Sequence, residues 1–123
     1  MVEDRVTDGK RIAQLLASEL DGREDGDLHR IAVDGADPDA EPTPTGTRAY
    51  EIMADGAPIA TVCIQPDRAR IEFSHGVERA LEAATDRELT VRPTATDPPR
   101  TLVFVGDGAE VKRAVAVVVA AAD

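Results

Sequence analysis

Four cations in the last third of this 123-residue chain, Arg92, Arg100, Lys112 and Arg113, are the residues whose types and spacing best suit chemistry. Arg92 and Arg100 bracket a proline-stiffened stretch, and Lys112 and Arg113 fall in the first turns of a predicted helix. The four could converge on an anion such as a nucleotide or a phosphorylated metabolite. Asp97, Asp107 and Glu110 lie beside them, and pairing with those acids is the competing use. Other constellations carry less. Cys63 sits between Val62 and Ile64 in a predicted strand, where a thiol acts as a small hydrophobe, and neither His29 nor His75 stands at ligand spacing from it. Asp34, Asp37 and Asp39 lack the glycine and terminal glutamate of an EF-hand loop, so a solvated loop is expected there. Val105-Gly106-Asp107-Gly108 echoes a dinucleotide loop but has no third glycine, and Asp107 would repel a phosphate. Glu19 falls inside an apolar helical stripe, in a last turn from which it bends out to water. There is no nucleophile elbow, Walker loop or paired cysteine. No catalytic residue, metal site or cofactor is therefore assigned.

The elements that must position these residues follow from hydrophobic period. Ile12, Leu15, Leu16 and Leu20 stripe a first helix that begins near Thr7, with Asp8 in the first turn where the dipole favours it. Residues 21–27 make a polar connection, and Leu28 to Val33 alternate as a short strand. The segment 34–47 holds three prolines and four acids with nothing to bury, and is expected to be a flexible loop. Tyr50, Ile52 and Ala54 lead to the Asp55-Gly56 turn and a returning strand through Ile64. Ala69, Ile71 and Phe73 then alternate with Arg70, Glu72 and Ser74, which gives a third strand with one dry and one wet face. Ser74 is the expected cap of a second helix lined by Val77, Ala80, Leu81 and Ala84. Leu89 and Val91 form a short strand, and the prolines from 93 to 99 exclude regular structure. Leu102 to Val105 are apolar in succession, as suits a central strand, and a last helix from about Ala109 places Val111, Ala114, Val115, Val118 and Ala122 on one side. The expectation is one α+β domain over 1–123, a mixed, mostly antiparallel five- or six-stranded sheet with three helices in the order α-β-β-β-β-α-β-β-α.

Charge bounds the environment. The net charge is -10, from 24 acids and 14 bases, and Lys10 and Lys112 are the only lysines. Such a balance suits a halophilic cytoplasm, because molar salt cuts the Debye length to about 3 Å and screens the self-repulsion. With no Trp, one Tyr and two Phe, and no basic stripe, nucleic-acid binding is disfavoured. A lone cysteine allows no intramolecular disulfide, the segment Met1-Val2-Glu3-Asp4-Arg5 lacks an apolar signal region, and no window suits a membrane span. A cytoplasmic location is expected.

Val91-Arg92-Pro93, Thr96, Pro98 to Val105, Gly108 and Val111 to Val115 together resemble a family of small uncharacterised haloarchaeal proteins, most distinctively in this stretch. The resemblance implies a habitat and no activity. On the residues themselves, the last helix is apolar round more of its surface than a core stripe needs. Val117, Val119 and Ala121 are thus either covered by another helix of the chain or form the interface of a homodimer or protein partner. A non-enzymatic interaction domain is the first expectation. A small-ligand-binding or enzymatic domain built on the four cations is the second.

Overall fold

A computed structural model describes residues 8–21 and 30–123. In order these form α1 (Gly9–Asp21), β1 (Ile31–Asp34), β2 (Thr47–Ala54), β3 (Ala57–Gln65), β4 (Arg68–Phe73), α2 (Val77–Asp86), β5 (Thr90–Pro93), β6 (Thr101–Val105) and α3 (Val111–Ala122), the last entered through a short 3-10 turn. The architecture is α+β, in the order the periodicities predict. All six strands lie in one sheet, ordered β1-β2-β3-β4-β6-β5, and every neighbouring pair is antiparallel. The apolar run of β6 is an interior strand, between β4 and β5.

Strand alternation divides the sheet into two faces. Val62, Ile71 and Val103 stand side by side across β3, β4 and β6, fully buried under the helices with Ile52 of β2. The helices cover this face alone: α1 reaches β1, β3 and β4, α2 reaches β5 and β6, and α3 packs against both other helices. Two buried polar contacts tie the layers. The Tyr50 hydroxyl donates to the Ala13 carbonyl of α1 at 2.7 Å, and the Thr101 hydroxyl to the Val77 carbonyl of α2 at 2.8 Å. Burial pushes the Tyr50 phenol above its ordinary range, with the Asp21 carboxylate adding to the shift.

The caps differ from the expected ones in instructive ways. Asp8 itself caps α1, its Oδ1 accepting from the Lys10 and Arg11 amides. Thr7 lies outside the described residues, as do Leu28 and His29. Ser74 does not cap α2. Gly76 precedes that helix at φ 63°, where an added Cβ would come within 2.2 Å of the Ala121 carbonyl oxygen, so α2 starts in tight contact with the end of α3. Arg79 donates to the Ala120 and Ala121 carbonyls and Arg30 to that of Ala122, which gives the carboxyl-terminal carbonyls of α3 charged donors.

One sequence expectation meets a different packing. Val117 and Ala121 are fully buried within the chain and Val119 is half-buried, because α1 and α2 cover the wide apolar surface of α3. The candidate interface at Val117 and Ala121 is corrected accordingly: these side chains are core. The acidic segment 34–47 carries no helix or long strand and is tied at several points to the sheet and to itself. The Asp37 amide donates to the Ala49 carbonyl, the Thr43 amide to that of Ile64, the Thr47 hydroxyl to that of Glu41, and Ala40 is buried.

Candidate functional site

Among the described residues no helix lies over the other face of the sheet, and arginines gather there. Register places Glu51, Thr61, Glu72, Leu102 and Arg92 in one row across β2, β3, β4, β6 and β5. The adjacent row reads Arg48, Cys63, Arg70, Phe104 and Thr90, and Gln65 stands opposite Arg68 beyond it. Arg100, just before β6, is joined to Thr94 by a backbone hydrogen bond of 2.9 Å and falls on the same face as Arg92. Five arginines thus share one face with the carboxylates of Asp34, Glu51 and Glu72, in a chain whose net charge is -10.

Their contacts are graded from one side to the other. Arg70 turns its fork onto one oxygen of Glu72, with Nε at 2.8 Å and Nη2 at 2.7 Å from Oε2, and both side chains are largely buried. The second oxygen of Glu72 faces Arg100, whose Nη1 is 3.8 Å away. Arg68 lies over the Phe104 ring, 4.1 Å from its centre, and is held there by the Gln65 side-chain oxygen at 2.8 Å. Arg48 donates to the Gly35 carbonyl and stands 3.5 Å from Glu51. The Arg92 side chain is exposed and makes no hydrogen bond or ion pair among the described residues. Beside Arg100 a cleft of about 430 Å³ opens between the sheet and the 94–98 turn, lined by Glu72, Thr94, Thr96 and Leu102. A second cleft, of about 280 Å³ and almost wholly apolar, lies on the helix side between α1 and the 36–38 segment.

The four predicted cations therefore divide. Arg92 and Arg100 come together on the open face. Lys112 and Arg113 belong to α3 in the helix layer, beyond the opposite end of β6. Arg113 donates to the Arg87 carbonyl at 2.9 Å and stands 3.7 Å from Glu110, while Lys112 is exposed. Arg48, Arg68 and Arg70 complete the face and were missed. The alternation of β4 put Arg70 on a wet face, yet nothing in one strand says which residues of four others lie beside it.

The remaining constellations are used internally. Asp107 accepts from the Glu110 amide at 3.0 Å and Glu110 from the Gly106 amide at 2.7 Å, so the loop that echoes a dinucleotide motif spends these donors on its own carboxylates. Cys63 is buried with its Sγ 3.9 Å from Glu72, and burial first, then the Glu72 charge, pushes its thiol up, away from the thiolate a nucleophile needs. Among the described residues no group of His, Cys, Asp and Glu is placed to hold a metal ion, and no helix is long and apolar enough to cross a membrane.

Fold and site together define a two-layer α+β architecture, three helices on one face of a six-stranded antiparallel sheet, whose other, arginine-rich face is covered by none of the described helices. The chain belongs to a family of unknown function, DUF7993, whose model matches residues 1–123. No curated protein and no solved structure matches it.

Proposed function

We propose that this chain is a non-enzymatic interaction domain of a halophilic cytoplasm, self-associating or partnered, and that it meets its partner through the sheet face opposite the three described helices. The observation that carries this reading is the segregation of charge. Five arginines stand on one face of a chain that is otherwise strongly acidic, together with the half-buried Met53 and Leu102. Arginine and methionine at a partly apolar surface are what protein interfaces favour. Both sheet edges are unsuited to adding a strand. The outward amide of Val33 on β1 is taken by the Asp21 carboxylate at 3.2 Å, and β5 is four residues long and ends in Pro93. The acid excess and the scarcity of lysine support the habitat.

A photo-crosslinking group attached at Thr61→Cys, in a Cys63→Ser background, tests the face directly. In a halophile extract at molar potassium chloride, adducts are expected from this position and not from Glu82→Cys on the helix layer. Equal yields at both positions, or adducts from Glu82→Cys alone, refute the reading. The cleft beside Arg100 favours a second reading, a binding site for a small anion such as a nucleotide held by Arg100, with Arg92 nearby on the same face.

A further inference from the structure

The geometry points to the chemistry of the partner: we infer that the corner formed by Arg70, Arg92 and Arg100 takes the carboxylates of an acidic protein segment. The inference rests on the reading of the sheet face as the interaction surface. Its foundation is Glu72. This side chain occupies the fork of Arg70 through one oxygen and turns the other toward Arg100. A carboxylate between two guanidinium groups is therefore already accommodated at this place, and Arg70 and Arg100 are set for the planar, two-oxygen acceptor that pairs best with arginine. Arg92, one strand away on the same face, is exposed and has no partner among the described residues, and the Arg100 contact at 3.8 Å is loose. Among the described residues, Arg92 has no side-chain acceptor and Arg100 has only the loose contact to Glu72, so both cations have capacity for a further one.

The same surface lacks what a nucleic acid would need. Single-stranded bases bind sheet faces by stacking on exposed aromatic rings. This chain has three aromatic residues: Tyr50 and Phe73 are buried on the helix side, and Phe104, on the open face, is 8% exposed under the Arg68 guanidinium. What accompanies the arginines is instead Met53 and Leu102, half-buried aliphatic surface against which the apolar residues of a protein segment can pack. Because the sheet edges are unsuited to adding a strand, the segment lies across the strands rather than alongside them.

Titration of isotopically labelled chain with poly-L-glutamate, followed by amide shifts in potassium chloride, provides the test. A chain of net charge -10 repels such a probe everywhere except at a local cationic site, so binding on the open face is diagnostic. Perturbations are expected at Thr61, Arg70, Leu102 and Arg92. Glu72→Gln, which removes the internal competitor, should tighten binding about twofold to fivefold, and the pair Arg92→Ala with Arg100→Ala should weaken it by at least as much. Lys112→Ala, on the helix layer, should leave it unchanged. Should Glu72→Gln fail to fold, Glu72→Asp, whose shorter arm draws the carboxylate back from Arg100 without removing it, should tighten binding in the same direction by a smaller factor. Oligouridylate and inorganic phosphate are run beside it. If either perturbs the open face and poly-L-glutamate does not, the inference is overturned while the reading of the face stands. Poly-L-glutamate shifts centred on Lys112 and Arg113, or no shifts with wild type and Glu72→Gln alike, overturn it as well, and the crosslinking yields then decide separately whether the face binds anything.

Discussion

Gly76→Ala should be among the most damaging single-methyl changes in this chain. The residue combines two constraints that are usually found apart. Its φ of 63° is left-handed, which costs an alanine roughly 1–2 kcal/mol. The new methyl would also lie 2.2 Å from the Ala121 carbonyl oxygen and 2.9 Å from the Ala121 Cα, and these are backbone atoms of α3 with no rotamer to escape into. Relieving that overlap means moving the start of α2 off the end of α3, an overpacking cost of about 1–3 kcal/mol. The sum is about 2–5 kcal/mol, a large share of a typical domain's stability of about 5–15 kcal/mol. Gly56 is the internal control. Its φ is 83°, in the Asp55-Gly56 hairpin, but a Cβ there meets nothing within 4 Å, so Gly56→Ala should cost only the conformational term, about 1–2 kcal/mol. Urea denaturation in molar potassium chloride, with the slope m unchanged between variants, measures both. Equal losses for the two variants would refute the argument that the α2–α3 contact, and not backbone conformation alone, demands glycine at position 76.

Three further outcomes are expected. Thermal midpoints should rise from dilute buffer to molar potassium chloride, because screening removes repulsion among 24 acids; a flat or falling midpoint would contradict the halophilic reading. Tyr50→Phe should cost about 1 kcal/mol through loss of the bond to Ala13, and it should also change the alkaline limb of stability. The folded phenol titrates above its unfolded value of 10.0, so stability is fully present below that pH and is lost as pH rises through and beyond it; following denaturation at alkaline pH, the phenylalanine variant should lose less than wild type over that window. Val117→Glu should produce an unfolded or grossly destabilised chain by circular dichroism, since it places a carboxylate in a fully buried site; a folded protein of altered oligomeric state would instead return Val117 to the surface.

Much of this protein was fixed by local pattern. The period of β4, with Ala69, Ile71 and Phe73 dry and Arg70 and Glu72 wet, and the stripe of α3 through Val111, Ala114, Val115, Val118 and Ala122, were readable because a side chain's direction in a strand or helix follows from its position alone. So were the order of elements, the Asp55-Gly56 hairpin and the interior placing of β6. What only the tertiary structure decided is which surfaces meet. The residues Val117 and Ala121 looked like an interface because one helix cannot report that two others cover it. The contacts of segment 34–47 were not legible because its tethers are carbonyls of β2 and β3 and of its own backbone, which no side-chain pattern announces. The arginine face was invisible for the same reason. Its members come from β2, β4, β5 and the approach to β6, up to 52 positions apart between Arg48 and Arg100, and charge becomes a surface only when strand register sets those positions side by side.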